Sequence, residues 1–363
     1  MKKFSKKFIF RLFCLILSVT LIFVIPTLGN GVNDNIELIY GTFVGEKSEY
    51  NGMIEIWNID TFESGSISKN SLLLSAANQF QKKYKGIYVL VRNITEKECE
   101  NMLAAGQLPD MFSCAYGVSE KIKSYVKAFD NKKYGLYDNY LQAGQDQTGA
   151  QLGLAWCSGL YFLLSSNAAL EKTGIIVNDD FKLSNSAYKL GYKTKGKKEK
   201  IVYSLSFANK GYLMPQNALS SYNDIETDGL SDMSFNSSQK FTQYEAYIDF
   251  LVGNCVVLLG SQRDVVRLSN RRLSGKISDI VIEPLISFCD LVQYIFMTNA
   301  DNSDKQNMMQ KFAEFLIGQK VQASLTNANM FSPLKNINQE FSIDAMNQVQ
   351  SEDLQKLEIK HIF

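Results

Sequence analysis

IEIWNIDTFESGSISKNSLLLSAANQFQKKYKGIYVLV, residues Ile54 to Val91, carries the pattern that decides the fold class. Ile54, Glu55, Ile56 and Trp57 alternate as a half-buried strand does, and Asn58 to Ser68 is a polar stretch long enough to be a ligand loop. Leu73, Ala76, Ala77, Phe80 and Tyr84 then recur at three- and four-residue steps, with Gln79, Gln81, Lys82 and Lys83 on the other face. That period is helical. Ile87 to Val91 is rich in β-branched residues and reads as a second strand. Strand, helix and strand in so short a span make a βαβ unit, which calls for parallel strands and a right-handed crossover. The class is α/β.

Working outward, Thr95 and Glu98 have capping-box spacing, and Gly106 stands where a helix C-cap glycine belongs. Leu108 to Gly117 reads as a short buried strand ending in a loop of small residues. Ligands in open α/β sheets sit beyond the carboxyl ends of the strands, so the loops after Trp57 and after Ser113 are expected on one rim. Ala155 to Asn167 reads as one strand crossing the molecule, followed by a short helix that Gly174 closes. Cys255 to Gly260 is a buried strand, and Ser261 to Arg272 begins with polar residues and continues as a helix. Ile280 to Leu285 and Leu291 to Thr298 are further strands. Met308, Met309, Phe312, Phe315 and Leu316 mark a long helix, Met330 to Leu334 a stop, and Ser342 to Ile359 a last helix. Between Val177 and Tyr247 no period stands out, and the basic run Lys193 to Lys200 is expected to be a solvated turn.

A chain of 363 residues is long enough for two lobes, and 45% hydrophobic residues can fill their cores. Lys and Arg total 38 against 37 Asp and Glu, so there is no net field to gather nucleic acid, and none is expected as a partner. The one histidine, His361, lies third from the end, which removes the usual base of Ser-His-Asp and Cys-His catalysis and the imidazoles of common zinc sites. No phosphate-cradling glycine motif occurs, and neither a cofactor nor a metal is expected. Lys2, Lys3, Lys6, Lys7 and Arg11 precede an apolar stretch, Leu12 to Ile25, interrupted only by Ser18 and Thr20. Residues 1–29 therefore read as a signal peptide or an uncleaved N-terminal anchor, and Cys14 as an apolar passenger within it. Cys99, Cys114, Cys157, Cys255 and Cys289 lack CxxC spacing and are expected to be mostly free, buried thiols with at most one or two bridges.

Taken in order, several stretches resemble the carbohydrate branch of the extracellular solute-binding proteins of bacterial ABC importers, the maltose-binding type. They are Ile54 to Ser66, Asn78 to Thr95, Ala104 to Gly117, Gly253 to Arg267 and Lys311 to Lys335. The resemblance implies a type II clamshell with a mixed sheet in each lobe, flanked by helices, and a hinge of more than one strand. It places one lobe at 36–157 with 285–312 and the other at 158–284 with 313–363. It implies a monomer that grips a sugar or oligosaccharide and presents it to a membrane permease, without chemistry of its own. It also implies an exported protein at the outer face of the cytoplasmic membrane or in the periplasm.

For the solute, sugar chemistry asks for aromatic faces and hydroxyl partners. The aromatic candidates are Trp57, Phe62, Tyr116, Trp156, Tyr161 and Phe331, and the polar ones Asp60, Thr61, Glu63, Ser261, Gln262 and Arg263. Gly260 is expected to bring backbone close to the solute, while Arg263 either clamps solute oxygens or pairs with Asp264. Two other readings stay open: a membrane-anchored ligand sensor with the same clamshell, and a carbohydrate hydrolase working through Asp and Glu.

Overall fold

A computed structural model describes residues 46–130, 132–178, 181–194, 199–223, 235–236 and 238–363. The segment read as a leader or anchor, with Cys14, lies outside these residues, as does the middle of the basic run after Lys193. A small unit takes in residues 46–52 and 79–87, with Lys83 paired to Glu46 at 3.7 Å and Phe80 packed on Tyr84. The remaining residues, 53–78 and 88–363, form a much larger unit.

Two sheets organise the chain. The first has the order β2-β1-β3-β12-β4, with β5 also paired to β12. Its strands are β1 (Glu46–Asn58), β2 (Tyr84–Asn93), β3 (Met111–Cys114), β4 (Val126–Lys127), β5 (Gly153–Ser158) and β12 (Val292–Thr298). β1 and β3 are parallel, whereas β12 runs antiparallel to β3, β4 and β5. Every residue of β3, β5 and β12 is buried, as expected of central strands covered on both faces. Phe112 lies opposite Phe296 in the ladder and takes the edge of Trp57 at 5.8 Å.

The second sheet has the order β10-β6-β9-β8-β7. It contains β6 (Tyr161–Ser166), β7 (Tyr192–Lys193), β8 (Ile201–Phe207), β9 (Cys255–Ser261) and β10 (Ile280–Leu285). The stretch expected to form one crossing strand is two, β5 and β6, in different sheets and parted at Gly159 and Leu160. Gly159 permits the break: a Cβ there would stand 2.4 Å from Gln262 Oε1, and its N–H donates to Leu291 O. The chain returns between sheets through β11 (Phe288–Cys289), and Ser158 and Phe331 exchange backbone hydrogen bonds beside the first crossing. Buried Asp290 ties this region together by accepting from Tyr161 Oη at 2.6 Å and Met214 N at 2.7 Å. Desolvation holds its carboxyl above the ordinary range and the Tyr161 phenol far above its own.

Helices form where the cap chemistry puts them. Thr95 with Glu98, Thr242 with Glu245 and Ser261 with Asp264 each make a reciprocal capping box. The helix predicted from Leu73 starts earlier, at Lys69, and runs to Lys83. The expected terminal helix is instead two short ones, Asp344–Asn347 and Ser351–Lys356, followed by β13 (Glu358–Ile359), which pairs with β11. The unpatterned region holds β8 and the helices Pro215–Asn223 and Gln243–Leu251. The five cysteines outside the leader are all buried and free, and desolvation raises each thiol, Cys99 to about 11 and Cys289 to about 12.

Candidate functional site

The loop from Ile59 to Ser68 leaves the carboxyl end of β1, and the Gln262–Leu273 helix leaves the carboxyl end of β9. The two meet at Glu63, whose N–H, carbonyl and one carboxylate oxygen are hydrogen-bonded by the second element or its neighbour. Its N–H donates to Gln243 Oε1 at 2.7 Å, and its carbonyl accepts from Gln262 Nε2 at 2.9 Å. Its carboxylate accepts from Arg267 through Oε1 at 2.9 Å, and Oε2 lies 2.7 Å from the same guanidinium as an ion pair. Arg267 also reaches Asp264 at 3.3 Å and lies over the rings of Tyr244 and Tyr247. Arg263, one turn earlier, donates to Gly65 O at 2.6 Å and makes no ion pair among the described residues. The neighbouring acid pairs with Arg267 instead, so the sequence had the right carboxylate and the wrong arginine.

Beside this junction is a hollow of about 380 Å³ lined by Asp60, Phe62, Glu63, Ser64, Ser66, Ser68, Lys69 and Arg263. Lys69 is 1% exposed, lies 3.4 Å from Asp60 and 3.5 Å from the centre of the Phe62 ring, and donates to Phe62 O. Burial lowers its pKa, and the Asp60 carboxylate offsets part of that shift. Asp264, also buried, has its carboxyl pushed up to about 6 by desolvation, against the pull of the Ser261 N–H and Arg267.

The structure brings Asp60, Phe62, Glu63 and Arg263 to the hollow and sets Thr61 beside them with its Oγ1 buried and without a hydrogen-bond partner. The other candidates do not line the hollow. Trp57 is buried with its indole N–H on Glu55, and Trp156 is buried with its own on Ser113 Oγ at 3.2 Å. Tyr161 is bound to Asp290, and Phe331 packs on Phe341 at 4.8 Å. Tyr116 is half-buried under Lys360. Ser261 caps its helix, and Gln262, fully buried, splices the junction by accepting from Leu160 N and donating to Glu63 O. Gly260 leaves room for a side chain: a Cβ there would meet Asp264 Oδ2 at 2.7 Å.

Sequence reasoning missed Lys69, Gln243 and Arg267. Ser68 preceding a helix start was the available sign for Lys69, since Ser68 Oγ accepts from Ser71 N at 3.1 Å. Behind the loop, Asn58, Ser113 and Gln293 form a buried polar network at the carboxyl ends of β1 and β3: Gln293 donates to Ser113 Oγ at 3.1 Å and to Ile59 O at 3.2 Å, and Ser113 donates to Asn58. Among the described residues, no group of His, Cys, Asp or Glu is placed to hold a metal, and no helix is long and apolar enough to cross a membrane.

No protein-family model and no curated sequence matches the chain. Solved structures do. The GacH receptor of Streptomyces glaucescens, solved unliganded and with acarbose, is similar with a TM-score of 0.57 at 11% identity, over 86% of this chain and 88% of that one. The sugar-binding protein MalE of Xanthomonas citri gives 0.56 at 13% identity over 85% and 86%. An ABC substrate-binding protein of Listeria monocytogenes, in complex with cycloalternan, gives 0.53 at 13% identity over 86% and 89%. The fold is thus the two-lobed α/β clamshell of these binding proteins, with a mixed sheet in each lobe.

Proposed function

We propose that this chain is an exported solute-binding protein that takes a carbohydrate between the loop after β1 and the helix after β9 and hands it to an ABC permease. The observation that carries this reading is the hollow between the two elements. Its lining supplies carboxylate, guanidinium, ammonium and three hydroxyls, the donors and acceptors that sugar hydroxyls require. The structural relatives named above include proteins solved with acarbose and cycloalternan, which supports the same solute class. In this reading the lobes are 36–157 with 285–312 and 158–284 with 313–363. The division of strands between the two sheets supports the split of the chain up to 312, whereas β13 pairs with β11 of the first group.

Binding centres on Asp60, Glu63 and Arg263, with Phe62 and Lys69 as the floor. Asp60 is paired to Lys69, which holds it as an oriented acceptor, and Glu63 is paired to Arg267. Arg263 spends one donor on Gly65 O and turns its others to the hollow. Trp57, Trp156, Tyr161 and Phe331 are buried and do not line the hollow, so in this reading recognition rests on polar groups more than on stacking.

A thermal-shift screen over monosaccharides, oligosaccharides, polyols, amino acids and peptides tests the reading. A ligand that binds only the native state at a hundredfold excess over Kd adds about 2.7 kcal/mol. Sugars are expected to raise the melting temperature. A response confined to amino acids or peptides overturns the carbohydrate assignment, and hydrolysis of a responding sugar overturns the claim that the protein only binds.

A further inference from the structure

We infer that Glu63, Gln243, Arg267 and Asp264 form a latch that closes the protein upon itself without solute. The inference rests on the carbohydrate-binding reading for its effect on affinity, but not for its effect on shape. Three observations carry it.

First, the cleft groups satisfy one another. Glu63 N–H, Glu63 carbonyl, Glu63 carboxylate and Gly65 carbonyl face the second sheet, and each is bonded to a side chain that follows β8 or β9. A cleft built only to close on solute would leave such groups for the solute.

Second, the contact is desolvated and supported from behind. Gln262 and Asp264 are buried, and Arg267 is only 17% exposed in its side chain, held between two carboxylates and two tyrosine rings. Such an arrangement keeps a long side chain in one geometry and lessens the entropy that a surface ion pair loses. Met330 adds to the seam, since its Sδ accepts from Gly65 N at 3.3 Å and Gln262 Nε2 at 3.5 Å.

Third, Arg267 and Gln243 do not line the hollow. Their bonds hold Glu63, which does line it, to the second sheet, and the Arg267 guanidinium occupies the carboxylate that a solute hydroxyl would need. Admission of a sugar then requires the Glu63 contacts to break. The apparent affinity is reduced by the fraction of molecules already open, so that one competent molecule in ten means about a tenfold weaker Kd.

The experiment is a distance measurement on solute-free protein. Spin labels go on Lys97→Cys and Leu273→Cys, both highly exposed, in a Cys14→Ser background, because the other native thiols are buried. The parent should give one short, narrow distance distribution. Arg267→Ala with Asp264→Asn, which also removes the charge of the fully buried acid beside it, should lengthen and broaden it, and so, to a smaller degree, should Gln243→Ala. Both variants should then bind the sugar found by the screen several-fold more tightly. A parent distribution already long and broad, or one that neither variant changes, overturns the latch whatever the protein binds. Weaker sugar binding in both variants overturns its inhibitory role. A latch confirmed by distance in a protein that responds to no sugar overturns the carbohydrate reading alone.

Discussion

The loop after β1 and the turn after β9 both follow buried strands at their carboxyl ends, and both were expected to offer polar groups to solute. They differ in what holds them. The turn is local: Ser261 caps the helix, Asp264 returns the bond to Ser261 N, and Gly260 leaves room for that carboxylate. The loop is held from far along the chain, through Ser66 N–H on Ala328 O, Gly65 N–H on Met330 Sδ and Asn329 on Ser66. Polar residues after a strand are therefore not equivalent. Ser261 and Asp264 at the helix start are spent on its cap, whereas Asp60, Ser64 and Ser66 in the tethered loop line the hollow.

The largest expected effect strikes the loop's tether. A Cβ at Gly65 would stand 2.1 Å from Ala328 O and 2.5 Å from Asn329 O, which are backbone atoms that cannot rotate away. Gly65→Ala should cost at least about 3 kcal/mol, the top of the usual overpacking range, whereas Gly260→Ala, meeting mostly side-chain atoms, should cost about 1 kcal/mol. Urea midpoints at unchanged m-value read both. Equal losses would erase the contrast between a remote and a local tether.

Next comes the buried acid of the turn. The Asp264 carboxyl titrates at about 6 in the folded protein against an ordinary value near 3.8, so the folded state binds the extra proton between those limits. Its contribution to stability therefore rises as pH falls from about 6 to about 4, by about 3 kcal/mol in all, and is absent at neutral pH. Asp264→Asn should remove this rise: the stability difference, parent minus variant, should grow on acidification across that window. A difference independent of pH would place the carboxylate in an environment as wet as the loop's.

The smallest effect separates two arginines one turn apart. Arg263→Ala should weaken sugar binding by about 1–3 kcal/mol, the range for hydrogen bonds to charged groups, with little change in the solute-free melting temperature. Replacement of Arg267 together with Asp264 should move affinity the other way. Unchanged affinity with a lowered melting temperature in Arg263→Ala would assign that residue to the frame.

Much of the fold was legible because its signals are local. The alternation at Ile54 to Trp57, the three-four spacing from Leu73, the capping residues Thr95 and Glu98, and the apolar run before Gly260 each name an element without reference to the rest of the chain. The division of Ala155 to Asn167 between two sheets was not legible, because both halves are equally apolar and only the packing of Gly159 against Gln262 marks the break. β8 was hidden by its mixed composition, with Ser204 and Ser206 buried among apolar neighbours. At the candidate site, position along the chain singled out Asp60, Phe62, Glu63 and Arg263, four residues that line the hollow. Lys69 and Arg267 read as ordinary surface cations, and their burial is set by Phe62 and by Tyr244 and Tyr247, contacts that no local pattern encodes.

Titration calorimetry of the parent protein with oligosaccharides of one to four rings tests the central claim most directly. The account predicts saturable binding of one sugar per chain, with a negative heat-capacity change as apolar surface is covered and an affinity that stops rising once the hollow is filled. Absence of saturable heat with every sugar, alongside tight binding of a peptide or amino acid, would contradict it.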